Sequence, residues 1–196
     1  MNGGYFEAQY ARAADPWGFT SRWYERRKRA LTLAALPRLR YRWGYEPGCS
    51  IGVLTEALAE RCDRLLSTDL VPAAVDRARQ RVTSDRVRIE VGDLCEQGLP
   101  DGHDLVVLSE ILYYFAESEV REIAARVGRR LPADGHLVAA HWRHPVAEHT
   151  LTGDRADELL REHSGLSVLG GYCDTDLRLT VLGRDPTSVA QAEGLA

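Results

Sequence analysis

Long apolar runs are missing from this 196-residue chain, and so is the apolar core that a signal peptide needs near its start. Nothing approaches the ~20 apolar residues of a bilayer span, so neither a membrane role nor export is expected. Cysteine is scarce: Cys49, Cys62, Cys95 and Cys173 are scattered without a C-x-x-C pair. That excludes the usual zinc knuckle, argues against a disulfide framework, and fits reduced thiols in the cytoplasm. An excess of positive charge is also lacking, with 25 Lys/Arg against 29 Asp/Glu and a net charge of −4. The counterion release that drives nucleic-acid binding is therefore poorly supplied. Repeats, linkers and low-complexity stretches are absent.

What is present suits one well-filled domain: 44% hydrophobic and 28% charged residues. The net charge hides an asymmetry. Residues 1–42 carry nine Lys/Arg against three Asp/Glu, a balance of +6, which leaves −10 for the remainder. The densest part, RWYERRKR (Arg22–Arg29), reads either as a solvated helix face or as a patch for anionic groups. Over 21–36, Trp23, Arg27, Ala30, Leu31 and Ala34 recur at helical spacing, and Pro37 ends the run.

From there strands and helices alternate. Strands are expected at 41–46, 64–70, 87–91, 104–112, 136–142 and in two closing segments on either side of Asp174-Thr175-Asp176. Helices are expected at 51–62, 72–81, 117–130 and 154–163. This is the pattern of an α/β fold with a doubly wound, mostly parallel seven-stranded sheet, Rossmann-like, helices on both faces and an antiparallel strand near the C-terminus. The expected organisation is an N-terminal helical lid or cap at 1–37, a core domain at 38–184 and a flexible tail at 185–196.

The stretch EPGCSIGVLT (46–55) follows the first strand as a tight turn. Counted from Gly48, the dinucleotide pattern G-x-G-x-x-G would need glycine where Ser50 and Val53 stand. A Walker loop would need a lysine after Gly52, and none is there. A zwitterionic ligand fits better: turn amides and a helix start for a carboxylate, and Glu46 for an ammonium or sulfonium. Asp69 closes the second strand, where it can accept two ribose hydroxyls. Asp93 closes the third, where it can accept from an adenine amine. Each aspartate alone could be a helix cap or turn residue; acidic groups at three successive strand ends form a pattern.

EPGCSIGVLT, LLSTDL, IEVGDL and HDLVVLSEILYYF resemble, in order and spacing, the motifs of class I S-adenosylmethionine-dependent methyltransferases across residues 40–145. DPWGFTSRWYERRKRALTLAALP, SEILYYF and HWRHP extend the likeness to the nodulation protein S group, in which a serine at position 50 is accepted. The resemblance implies S-adenosylmethionine as cofactor. It implies N-methylation of a small molecule carrying an amine, such as an amino sugar or a deacetylated chitooligosaccharide, with a hydroxyl acceptor as the alternative. The implied cofactor contacts are Glu46, Gly48, Cys49, Ser50, Gly52, Asp69, Leu70, Asp93, Leu94 and Ser109, with Trp17 and Tyr24 from the N-terminal segment.

Methyl transfer is a one-step displacement, so positioning dominates and an amine acceptor must be neutral when it attacks. Glu110, Tyr113 and His141 are the candidate catalytic residues. Glu110 would receive the amine, unless it is a salt-bridged residue at a strand exit. His141 would orient or deprotonate the substrate, unless it is simply packed. Trp23 is expected to pack on the sheet. No metal is expected, because His141, His144 and His149 do not aim at one point from a strand exit. A base-flipping nucleic-acid enzyme would carry an (N/D)-P-P-(Y/F) turn where this chain reads SEILYY. A binding module without catalysis would be expected to lose the cofactor carboxylates, and all three are kept.

Overall fold

The computed structural model describes residues 3–196; the first two residues of the expected cap lie outside the described residues. Two helices, α1 (Gly3–Arg12) and α2 (Trp23–Ala35), precede β1 (Tyr41–Pro47). Then follow α3 (Val53–Leu58), β2 (Cys62–Asp69), α4 (Pro72–Arg81), β3 (Val87–Val91), α5 (Leu94–Gln97) and β4 (Leu105–Ser109). A 3₁₀ turn (Leu112–Tyr114), α6 (Glu117–Arg130), β5 (His136–Trp142), α7 (Gly153–Ser164), β6 (Ser167–Cys173), β7 (Leu177–Gly183) and α8 (Val189–Ala192) complete the chain. The seven strands form one sheet in the order β3-β2-β1-β4-β5-β7-β6. All neighbours pair in parallel except at β7, which runs antiparallel to β5 and β6.

The central strand shows why the sheet is double-faced. Leu105, Val106, Val107 and Leu108 are all buried. Val106 and Leu108 enter a cluster with Val120, Ile123, Leu159 and Leu160 of α6 and α7. Leu105 and Val107 enter the opposite cluster, with Leu36, Leu58 and Leu179. A period of two within an unbroken apolar run is what coverage on both faces demands. Pro72 opens α4 at a position where its missing N–H costs nothing. Thr152 caps α7 by accepting from the Arg155 amide at 3.1 Å. Gly128 lets α6 and α7 touch, since a Cβ there would lie 1.7 Å from the Ser164 carbonyl oxygen.

Several boundaries differ from expectation. The helix expected over 51–62 stops at Leu58, because Cys62 already pairs with Tyr41 across the β1–β2 ladder. The fourth strand ends at Ser109, where Glu110 turns into the left-handed region at φ 58°. Residues 3–12 form a helix that hydrophobic spacing did not signal, and the segment after Arg184 contains a four-residue helix capped by Ser188. Trp23, expected in packing, is 68% exposed. The inward stripe of α2 is Glu25, Lys28 and Thr32, all buried. This stripe faces the polar cavity wall, while Leu31 and Tyr24 beside it pack on the apolar layer; of the residues read from apolar spacing, Trp23, Ala30 and Ala34 are left exposed. Among the described residues, no helix is long and apolar enough to cross a membrane.

Candidate active site

A cavity of about 350 Å³ opens over the carboxyl ends of β1 to β4, roofed by α1, α2 and the loop between them. That is where the strand order reverses, β1 lying between β2 and β4. Its floor begins with the turn after β1. Gly48 and Gly52 have φ of 73° and 78°, and Ser50 shares the left-handed region at 52°. Gly48 has a second reason to be glycine: a Cβ would come within 2.5 Å of Ile111 Cγ2. Gly48, Cys49 and Ser50 line the cavity. Gly52 does not; it packs under the turn, where a Cβ would stand 3.0 Å from the Ala78 Cβ.

Three of the turn amides that the sequence offered to a ligand carboxylate are used within the protein. Cys49 N–H donates to the Thr68 carbonyl at 2.9 Å, Ser50 N–H to Asp69 Oδ2 at 2.8 Å, and Gly52 N–H to the Cys49 carbonyl at 3.0 Å. Self-satisfaction is what keeps such a tight turn in place.

The three strand-end carboxylates do meet at the cavity. Glu46 is buried, and its Oε2 accepts from Thr55 Oγ1 at 2.6 Å and from Ser67 Oγ at 2.8 Å. Burial raises its pKa to about 7, the two hydroxyls oppose the rise, and Asp69 adds to it. Oε1 makes no hydrogen bond among the described residues, so the group is poised for a cation. Asp69 accepts from Ser50 N–H through Oδ2 and from Val71 N–H through Oδ1 at 3.0 Å, and each oxygen keeps a lone pair. Burial holds its pKa above the usual value, against these amide bonds. Asp93 caps α5 through Oδ1, 2.7 Å from the Cys95 amide, as a plain helix cap would; the cavity also reaches it. Leu70, Leu94 and Ser109 line the same space.

Glu110 stands opposite. Its Oε1 accepts from Tyr24 Oη at 2.8 Å, and its Oε2 pairs with Lys28 Nζ at 2.9 Å. Lys28 pairs equally with Glu25, again at 2.9 Å, so two carboxylates share one buried ammonium. Burial disfavours that ammonium, but Glu110 and then Glu25 more than offset it and hold its pKa above the ordinary value. Burial raises the Glu25 pKa, opposed first by Lys28. Glu25 and Lys28 escaped the sequence reading because a polar stripe on a basic helix looks like a solvated face.

Aromatic rings close the cavity. Tyr10 donates to Ser50 Oγ at 2.6 Å and meets Trp17 edge-on at 5.4 Å; Phe6 lies 4.9 Å from Tyr114. Tyr24 meets Trp142 edge-on at 4.7 Å. Tyr113 lines the wall and stacks on His149 at 3.9 Å. The imidazole that reaches the cavity is therefore His149, from the loop after β5, which carried no periodic signal. His141 is a correction. It is fully buried, neither ring nitrogen has a hydrogen-bond partner, and it lies outside the cavity behind Tyr113, 6.2 Å away. Burial lowers its pKa to about 4, despite Asp157 and Glu110. A neutral imidazole walled off from the cavity can neither orient nor deprotonate a substrate.

Reversal of β7 beside an otherwise parallel sheet, with carboxylates at the ends of β1, β2 and β3 facing one cavity, is the arrangement shared with the Rossmann-like S-adenosylmethionine-dependent methyltransferases among its structural neighbours, and that is the class of this protein. The acceptors present fit that cofactor: the free Oε1 of Glu46 suits its ammonium, and the remaining lone pairs of Asp69 suit its ribose hydroxyls. The comparisons with known proteins narrow the class. A family model described as Nodulation protein S (NodS) matches residues 7–157, and the chain belongs to that family. It is 32% identical over 187 residues to nodulation protein S of Rhizobium tropici, covering 90% of this chain and 78% of the relative. It is 28% identical over 186 residues to nodulation protein S of Sinorhizobium fredii, covering 89% and 86%. The crystal structure of N-methyltransferase NodS from Bradyrhizobium japonicum WM9 in complex with S-adenosyl-L-homocysteine superposes with a TM-score of 0.80 at 25% identity, covering 93% of this chain and 98% of that one. The substrate of this chain is accordingly a small molecule.

Proposed function

We propose that this methyltransferase acts on the nitrogen of a small molecule, an amino sugar or a similar amine such as a deacetylated chitooligosaccharide. The observation that carries the reading is the wall opposite the cofactor carboxylates, where Glu110 and Glu25 share the single ammonium of Lys28. A carboxylate has about four acceptor positions, and Glu110 spends one on Tyr24 and one on Lys28. Glu110 lines the cavity, and its remaining acceptor capacity suits the N–H groups of an incoming amine. The solved N-methyltransferase relative supports an amine over a hydroxyl.

S-adenosylmethionine supplies the electrophilic methyl group. The residues of this chain hold the two reactants in line, which is most of the catalysis. In this reading Glu46, Asp69 and Asp93 hold the amino-acid, ribose and adenine ends, and Gly48, Cys49, Ser50, Leu70, Leu94 and Ser109 shape the floor. Trp17 and Tyr24 belong to the wall that residues 1–37 provide as a cap over the domain at 38–184, with 185–196 as a tail. Aromatic closure excludes water and offers faces on which a sugar can stack. Glu110 takes and orients the amine, Tyr113 bounds its space, and the amine proton leaves to Glu110 or to water. The four free thiols are consistent with a cytoplasmic setting.

Release of S-adenosylhomocysteine is the assay. Glucosamine, deacetylated chitooligosaccharides, their N-acetylated forms and hydroxyl-only analogues are compared at equal concentration. Turnover confined to the free amines is expected; methylation confined to hydroxyls would sink the amine reading.

A further inference from the structure

A spacing of three puts Glu25 and Lys28 on one face of α2. Exposed pairs of this kind contribute little. Here both residues are buried, and both line the cavity. Lys28 Nζ stands 2.9 Å from Glu25 Oε2 and 2.9 Å from Glu110 Oε2. Burial works against the ammonium charge, and Glu110 and then Glu25 restore it. Glu110 reaches Lys28 from a backbone at φ 58°, which a non-glycine residue adopts at a cost, with its amide held by the Ala140 carbonyl at 2.8 Å.

A pair of Lys28 and Glu110 alone would be neutral, and each would have its counterion. Glu25 is the addition that leaves the cluster with one uncompensated negative charge. Among the described residues, no second cation lies within salt-bridge distance of Glu25 or Glu110. Arg29, which also lines the cavity, donates to the Phe19 carbonyl at 2.8 Å instead. A largely desolvated carboxylate without its own counterion is unfavourable until a ligand brings the missing positive charge. The charges of the whole cavity agree. Five carboxylates line it, the three at strand ends with Glu25 and Glu110, against three cations, Arg22, Lys28 and Arg29. S-adenosylmethionine, with its sulfonium, ammonium and carboxylate, carries one net positive charge, and one further cation balances the rest.

We propose that Glu25 is a positioning residue for the acceptor: by holding one side of Lys28 it leaves Glu110 uncompensated, so that the amine docks against this wall as its ammonium. The docked group passes one proton to a Glu110 oxygen, which brings the cluster to neutrality and leaves the nitrogen neutral with its electron pair free. A hydroxyl acceptor brings no positive charge, so the wall selects by charge as well as by hydrogen bonding. The proposal rests on the amine reading above and adds to it the ionic state in which the acceptor arrives.

Counting charges by substitution tests it. The full chain, saturated with S-adenosylhomocysteine so that nothing reacts, is titrated calorimetrically at neutral pH with deacetylated chitobiose and with cellobiose, in which hydroxyls replace both amines. The unaltered protein should prefer the amino sugar by about ten- to a hundredfold, the span of hydrogen bonds to a charged group. Glu25→Gln gives Glu110 sole claim on Lys28 and should cut the preference to about threefold or less, with S-adenosylhomocysteine affinity held within about twofold. Glu25→Gln combined with Lys28→Met restores one net negative charge and should return the preference to within about threefold of the unaltered protein. Lys28→Met alone leaves the wall negative and should keep the preference. A pair that merely braces α2 gives the opposite order, with the double variant at least as impaired as Glu25→Gln. The proposal is overturned if folded Glu25→Gln keeps the full preference, if the double variant is no better than Glu25→Gln, or if folded Lys28→Met loses the preference. An unaltered protein that does not distinguish the two sugars would bring down the amine reading and this proposal together, whereas a preference insensitive to Glu25 would remove the proposal alone.

Discussion

Replacing Glu46 by glutamine keeps its size and its bonds to Thr55 and Ser67 but removes the charge that an ammonium would meet. The free carboxyl has a pKa raised to about 7 by burial. A bound cation favours the ionised form, so binding must expel the proton wherever the free group carries it. With a free pKa of about 7, only about one site in eleven is ionised at pH 6, against about ten in eleven at pH 8. S-adenosylhomocysteine should therefore bind about tenfold more tightly at pH 8 than at pH 6, with release of up to about one proton at the acid end. Stability of the unliganded fold runs the other way. A carboxyl whose folded pKa lies above the unfolded value contributes stability at low pH that is lost as pH rises from the ordinary carboxylate value through about 7. Asp69 is also shifted upward, so Glu46→Gln is needed to isolate the effect. In that variant, affinity should be lower at pH 8 and almost flat between pH 6 and pH 8. Calorimetry in buffers of different ionisation heat measures both affinity and proton count. A wild-type affinity independent of pH, or a glutamine variant with an unchanged tenfold slope, would refute the placement of the ammonium at Glu46.

Asp69→Ala should weaken S-adenosylhomocysteine binding by about 1.5–3 kcal/mol, the worth of hydrogen bonds to a charged group, and lower the melting temperature as the Ser50 and Val71 amides lose their acceptor. An unchanged dissociation constant in folded protein would place the ribose elsewhere. Glu110→Gln should leave cofactor affinity nearly intact while kcat falls, with partial recovery at higher pH, where more of the amine is already neutral; wild-type kcat at every pH would remove Glu110 from the reaction. His141→Leu should leave kcat within about twofold and hold or raise the melting temperature, because it deletes two buried, unpartnered ring nitrogens at similar volume. A folded His141→Leu protein without turnover would contradict the walled-off position of this imidazole.

The order of strands and helices was legible because its signal is local. A short, β-branched apolar run such as Leu105–Leu108, bounded by turn residues, fits a strand covered on both faces, and Pro72 or Gly48 mark where chain direction changes. The strand-end carboxylates Glu46, Asp69 and Asp93 could be named for the same reason: each sits at a fixed place in a repeating unit, and the fold brings such places to one edge. Family membership also came from spacing along the chain.

Three things needed the tertiary structure. Which face of α2 points inward depends on what lies opposite it; since that is a cavity edged by Glu110, the buried residues are Glu25 and Lys28, and Trp23 is left outside. Which histidine reaches the cavity depends on strand pleat and loop path: β5 turns His141 into the protein, while the loop beyond it returns His149 to Tyr113. Whether the Ser50 amide is free depends on a contact nineteen positions away, with Asp69. The sequence by itself determined the sheet, the turn and the acidic strand ends, because periodicity and backbone conformation are set by near neighbours. Burial, pairing and access are set by whatever the folded chain places opposite a side chain, and only the tertiary structure decided those.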